Sequence, residues 1–131
     1  MGAIGPGLMI LVGVEEGDTE ADCQWLASKT VGLRIFDDEG GVMNRSVVEV
    51  GGEILAVSQF TLTASTRKGN RPSYIRAAGH ETAVRLYEMY VKETSRLNGK
   101  PTQTGRFGAD MDVTLTNDGP VTIIIDSRLK E

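Results

Sequence analysis

The stretch SQFTLTASTRKG, residues 58–69, gathers side chains that could do chemistry. Ser58, Gln59 and Thr61 bring two hydroxyls and an amide together where the apolar run ILAV ends, with Phe60 between them. Groups of this kind donate and accept hydrogen bonds without ionising near neutrality. They suit holding or polarising an uncharged centre such as a carbonyl or an ester. A strand end that opens into a loop is a common place for them, because the sheet fixes geometry and the loop gives access. The same hydroxyls could equally serve only to satisfy backbone groups where a strand stops. The surrounding stretch is basic: from Ile54 to His80 there is no Asp or Glu, while Arg67, Lys68, Arg71 and Arg76 fall inside. A patch of this size can hold a few phosphates, and a solvated basic loop explains it equally well.

Two further stretches carry candidate groups. In TGRFGADM, Gly105 and Gly108 flank Arg106 and Phe107. Glycines allow close backbone approach, and an arginine beside an aromatic ring can hold a phosphate or stack on a base. The alternative is a glycine-rich loop whose phenylalanine tucks into the core. In NDGPVT, residues 117–122, Gly119-Pro120 reads first as turn chemistry, and only about 5–6% of X-Pro bonds in folded proteins are cis. Gly5-Pro6, ahead of an apolar run, reads as a turn.

Composition prunes other chemistries. The chain has one histidine, His80, and one cysteine, Cys23, far apart in sequence. A structural zinc site uses about four Cys or His ligands, so no metal is expected. A histidine-activated nucleophile would have to use His80, which reads as an exposed residue at a helix start. A net charge of −4 argues against coating long nucleic acid by charge alone. The longest apolar run, Leu8 to Val14, is too short to cross a bilayer. With no export signal visible and a single cysteine, a reducing, cytoplasmic location is expected. No cofactor motif stands out.

The elements that must position these groups can be read from periodicity. Leu8–Val14 reads as a buried strand. A helix opens near Asp18 or Thr19, which are N-cap types, with Glu20 and Asp22 favouring its positive end, and it fails near Gly32–Phe36. SVVEVGGEILAVSQF reads as two strands around Gly51-Gly52, the second apolar enough to be central. TASTRKGNRPS is a loop. A long amphipathic helix comes next, over about 81–97. Met111, Val113 and Leu115 alternate with polar residues as a half-buried strand, and Val121–Asp126 reads as the last strand. The tail DSRLKE reads as frayed. The class is α/β or α+β, one domain over 1–131, with a mixed sheet and two main helices on one face.

Together, SQFTL (58–62), TRKGNRPS (66–73), GRFGADM (105–111) and NDGPVT (117–122) occur in the order found in bacterial D-aminoacyl-tRNA deacylases, the D-Tyr-tRNA deacylase family. IGPGLMILVGVEEGD (4–18) and GLRIFDDEGGVMN (32–44) also resemble it, so the likeness covers essentially the whole chain. Family members usually begin with a further strand and hairpin, whereas this chain starts at MGAIGPG, so a shortened form of the domain is expected. The resemblance implies a three-layer β/β/α fold and hydrolysis of the ester of D-aminoacyl-tRNA and of glycyl-tRNA. It implies no cofactor, tRNA as partner, and a homodimer with sites at the subunit interface. It assigns catalysis to Ser58, Gln59, Phe60 and Thr61, with backbone N–H groups at Gln59 to Thr61 as oxyanion donors. It makes Gly119-Pro120 a cis pair that reaches into the partner's site and excludes L side chains. It places tRNA on Arg67, Lys68, Arg71, Arg106 and Phe107. It leaves two mechanisms: water activated by the terminal ribose 2′-OH, or Thr61 as nucleophile or proton carrier. The first is favoured because no base accompanies Thr61 in the sequence.

Overall fold

A computed structural model describes residues 2–131. Its main sheet has three parallel strands in the order β1-β4-β5: β1 (Gly7–Val12), β4 (Glu53–Ser58) and β5 (Gln103–Thr104). A separate antiparallel pair joins β2 (Phe36–Asp37) to β3 (Met43–Arg45). Two helices, α1 (Glu20–Gly32) and α2 (His80–Asn98), pack against each other and against the sheet. Parallel and antiparallel pairing are thus segregated into two sheets. The apolar ILAV run is the central strand, as its composition predicts.

Helix α1 begins at Thr19. The Thr19 backbone N–H donates to Asp22 Oδ2 at 2.8 Å, closing a capping box, and this bond holds the Asp22 carboxyl below its usual range. Cys23, Ala27, Thr30 and Val31 share its buried face, while Leu86, Tyr87, Tyr90, Thr94 and Asn98 form that of α2. Gly99 ends α2 in the left-handed conformation at φ 74°, returning its N–H to Ser95 O, as a C-terminal glycine does.

The core forms two adjoining clusters. One joins Cys23, Ala27, Ala56, Tyr87 and Tyr90; the other joins Val31, Val47 and Ile54. Its polar members are paired: Tyr87 OH donates to Ala56 O at 2.8 Å, Thr30 Oγ1 and Tyr90 OH lie 2.8 Å apart, and Asn98 Nδ2 donates to Gly52 O. Among the described residues no buried side-chain nitrogen or oxygen lacks a partner. The Tyr87 bond ties α2 to β4 two residues before Ser58, and so fixes the strand end that carries the candidate chemistry. No helix among the described residues is long and apolar enough to cross a membrane.

Three expectations are corrected. The strand expected before Gly51-Gly52 ends at Arg45, and residues 47–51 form a helical turn. The cause is local: Ser46 and Glu49 cap each other, Ser46 N–H to Glu49 Oε1 at 3.0 Å and Glu49 N–H to Ser46 Oγ at 3.2 Å. This S-x-x-E box outweighs the strand propensity of three valines. Second, residues 111–116 and 121–126 contain no strand, and Met111, Val113, Leu115, Ile123 and Ile124 are exposed. Alternation marks a half-buried face, but a strand also needs a neighbour for its ladder, and no described segment pairs with either stretch. Third, the tail is not frayed. Arg128 pairs with Asp18 at 3.0 Å and also donates to Glu16 O, Ser127 is buried, and Lys130 Nζ lies 4.5 Å from the Trp25 ring centroid.

Candidate active site

The parallel pairing of β1 with β4 runs to Val12↔Ser58 and extends one bond further, Gln59 N–H to Val12 O at 2.8 Å. The chain then turns into a single 3-10 turn, Phe60–Thr63. Ser58 thus ends the central strand, and Phe60 and Thr61 stand at the carboxyl edge of the sheet, where open α/β sheets bind ligands. The first donors of such a turn have no partner within it. The backbone N–H groups of Phe60 and Thr61 make no hydrogen bond among the described residues. Gln59 differs, because its N–H continues the sheet, so the donors available for an oxyanion narrow to Phe60 and Thr61.

The Gln59 side chain folds onto Thr61, with Nε2 donating to Oγ1 at 3.0 Å. That bond occupies a lone pair of the Thr61 oxygen. Among the described residues no carboxylate, imidazole or amine hydrogen-bonds to Thr61. Ser58, Gln59 and Thr61 are half-buried and Phe60 is exposed.

The basic loop is closed at its base. Ser65 and Ser73 exchange two backbone bonds of 2.8 Å, looping out residues 66–72 with Arg67, Lys68 and Arg71 exposed. None of the three has an ion-pair partner among the described residues. Arg76, the fourth cation of this acid-free stretch, does something else. Its guanidinium donates to Thr63 O at 3.0 Å and Ala64 O at 3.3 Å, and it pairs with Glu15 at 3.5 Å. It clamps the far end of the 3-10 turn by the carbonyls that such a turn leaves unpaired. Arg76 shares the acid-free stretch with Arg67, Lys68 and Arg71 but not their exposed loop: the Ser65–Ser73 bridge leaves it outside residues 66–72.

Arg106 is exposed, with no ion-pair partner among the described residues. Phe107 is half-buried, its ring 5.7 Å from that of Tyr87 and 5.5 Å from that of His80. It packs at the start of α2 and anchors the glycine-rich loop there.

Gly119–Pro120 is the one cis peptide bond among the described residues. Gly119 has φ 136°, and a Cβ there would lie 2.9 Å from Val121 Cγ2. L side chains rarely adopt such a backbone conformation. The turn is held by Asn117, whose Oδ1 accepts the Val121 N–H at 3.1 Å and whose Nδ2 donates to Thr122 Oγ1 at 3.1 Å. It is exposed, and among the described residues no hydrogen bond joins it to Ser58–Thr61. The fold therefore brings Ser58, Gln59, Phe60 and Thr61 together where the central strand runs toward the basic loop. Among the described residues no three His, Cys, Asp or Glu side chains converge as metal ligands.

Comparison with known proteins gives this arrangement its relatives. Residues 1–126 match the family described as D-Tyr-tRNA(Tyr) deacylase. A D-aminoacyl-tRNA deacylase of Parabacteroides distasonis is 62% identical over 128 residues, covering 98% of this chain and 85% of that protein. One of Dechloromonas aromatica is 57% identical over 131 residues, covering 100% of this chain and 87% of that protein. Among solved structures, the c-Myc DNA Unwinding Element Binding Protein superposes with a TM-score of 0.85 at 38% identity, over 92% of this chain and 81% of that one. A probable eukaryotic D-amino acid tRNA deacylase shares the fold at a TM-score of 0.60 and 18% identity, over 73% of this chain and 56% of that one. With the match running through the strand end, the basic loop and the Gly119 turn alike, the chain belongs to the D-Tyr-tRNA(Tyr) deacylase family.

Proposed function

We propose that this protein hydrolyses the ester joining a D-amino acid to the 3′ end of tRNA, and that of glycyl-tRNA, as a cytoplasmic proofreading step of translation. The observation that carries the reading is the pair of unpartnered N–H groups of Phe60 and Thr61 beside an uncompensated basic loop, in a chain about 60% identical to named deacylases. Water attacks the ester carbonyl carbon, and the oxygen becomes an oxyanion within reach of the two N–H groups. The C–O bond to the ribose then breaks, the ribose oxygen takes the proton, and free tRNA and amino acid leave. Preorganised donors of this kind typically contribute a few kcal/mol, about 2.7–4 each where measured.

Among the described residues no base hydrogen-bonds to Thr61, and its oxygen already accepts from Gln59. That supports the ribose 2′-OH as the group that activates water, with the protein positioning the ester. Arg67, Lys68, Arg71 and Arg106 hold phosphates of the acceptor end.

Chirality is selected by exclusion. Gly119 carries no β-carbon, leaving room for a hydrogen on the substrate α-carbon where an L side chain would collide; steric rejection discriminates more strongly than loss of one contact. The protein acts as a homodimer in which each Gly119 turn serves the partner's site. The exposed turn supports this, as do Met111, Val113, Leu115, Ile123 and Ile124, five large apolar side chains left exposed in the segments on either side of it.

Deacylation of matched D- and L-tyrosyl-tRNA, with glycyl- and L-alanyl-tRNA alongside, tests the reading. D-tyrosyl and glycyl turnover with L-tyrosyl-tRNA intact is expected. Turnover of L-alanyl-tRNA would overturn the filter, and no turnover at all would overturn the activity. Thr61→Ala is expected to retain measurable activity; complete loss in a folded protein would make Thr61 the chemical group.

A further inference from the structure

Two aromatic rings beside the candidate site face water. Phe60 is 62% exposed and Tyr74 40%, and their ring centroids lie 5.1 Å apart at 72°, edge to face. Both are held from behind. Phe60 opens the 3-10 turn, and its carbonyl accepts from Thr63 Oγ1 at 2.8 Å. Tyr74 directly follows the Ser65–Ser73 bridge, and two residues later Arg76 is bonded to Thr63 O and Ala64 O. The pair is thus fixed between the free N–H groups of Phe60 and Thr61 and the loop of Arg67, Lys68 and Arg71. Tyr74 OH makes no hydrogen bond among the described residues.

Resting on the deacylase reading, we propose that Phe60 and Tyr74 form a stacking platform for an unpaired base of the tRNA 3′ end, that of the nucleotide next to the esterified one. Phe60 adjoins the N–H groups that would face the ester and Tyr74 adjoins the base of the basic loop, so an RNA strand that uses both has the paired rings at hand. Rings with one polar atom between them accept any base by its face, which suits a 3′ end common to all tRNAs. Single-stranded RNA ends are bound in this way, with splayed bases on aromatic side chains and phosphates on cations. Arg67, Lys68 and Arg71, without ion-pair partners among the described residues, favour an anionic occupant here over the same loop of a second copy, since a two-fold contact of the loop with itself would bring like charges together.

The test uses an RNA hairpin with an unpaired tRNA 3′ end carrying 2-aminopurine at the penultimate position. Binding by the unaltered protein should quench its fluorescence. Tyr74→Leu and Phe60→Leu should abolish the quenching, and Tyr74→Phe should retain it. With the D-tyrosylated RNA, Tyr74→Leu should raise KM about tenfold, within the range expected for losing one stacked base, with the effect carried in KM rather than kcat. On RNA lacking the penultimate base the two proteins should converge. Unquenched fluorescence with the unaltered protein, equal quenching by Tyr74→Leu, or a KM rise that persists on the abasic RNA would each overturn the proposal. So would conversion of a dimer to a monomer by Tyr74→Leu in sedimentation, which would assign the rings to a protein interface. Because the fluorescence readout needs no turnover, an enzyme inactive on every D-aminoacyl RNA would refute the deacylase reading and leave the stacking result standing.

Discussion

Arg76 offers a sharp perturbation, because its contacts separate two effects. Its guanidinium makes three bonds to the carbonyls of Thr63 and Ala64, at 3.0 to 3.3 Å, and one ion pair to Glu15 at 3.5 Å. Hydrogen bonds to a charged group contribute about 1.5–3 kcal/mol each when sheltered. The Arg76 side chain is more than half exposed, so solvent screening brings the whole clamp to about 1–2 kcal/mol. Arg76→Met keeps much of the aliphatic stem and removes the fork. It is expected to lower Tm by roughly 4–8 °C for a domain of this size. The 3-10 turn also carries the Phe60 and Thr61 N–H groups, so loosening its far end should misplace them. A loss of about 1 kcal/mol at the transition state is roughly a fivefold drop in kcat. Glu15→Gln breaks the ion pair, whose arginine end is solvent-screened, and leaves the carbonyl bonds in place, so it should cost about 1 kcal/mol and leave kcat unchanged. Thermal unfolding and single-turnover deacylation on the two variants decide the matter. Equal effects from both would show that the ion pair, not the clamp, holds the loop. An unchanged kcat in Arg76→Met would show that the turn keeps its geometry without it.

Neutralising Arg67, Lys68 and Arg71 together should raise KM and flatten the dependence of log KM on log salt by about 2, from about 0.7 per phosphate contact on single strands; an unchanged slope would remove these residues from the tRNA path. Gly119→Ala puts a β-carbon 2.9 Å from Val121 Cγ2 at φ 136°, in an exposed turn. Turnover of D-tyrosyl-tRNA should fall by about 100-fold, as expected for a misplacement near 1 Å, with Tm little changed; activity at the unaltered rate would refute the filter. Burial pushes the Cys23 thiol up to about 11 from 9.0, so the folded state favours the neutral form. Its contribution to stability is complete below pH 9 and is lost as pH rises toward 11, and Tyr90, pushed up to about 12 from 10.0, adds a loss of the same sign above pH 10. Urea unfolding of the protein and of Cys23→Ser between pH 8 and 11 should show the variant less pH-dependent from 9 to 11; parallel curves would contradict the assignment.

Elements whose signals are local were legible in the chain before it folded. Thr19 with Asp22, and Gly99 after Asn98, mark helix ends through bonds within a few residues, and the apolar ILAV run announces a central strand because both its faces are covered. The box at Ser46 and Glu49 was equally local, and three valines disguised it as strand. The order of SQFTL, GRFGADM and NDGPVT identified the family and the candidate residues. The remaining features depend on partners that lie far along the chain and meet only on folding. The bond from Gln59 to Val12 removes one donor from the site and leaves two. Folding of the loop ties Arg76 to the carbonyls of Thr63 and Ala64, while Arg67, Lys68 and Arg71 have no ion-pair partner among the described residues, although all four look alike in sequence. Phe107 meets Tyr87 and His80 across some twenty residues or more. The alternation of residues 111–116 describes one face of a strand, but a strand exists only where another offers its edge, and no local pattern encodes that neighbour.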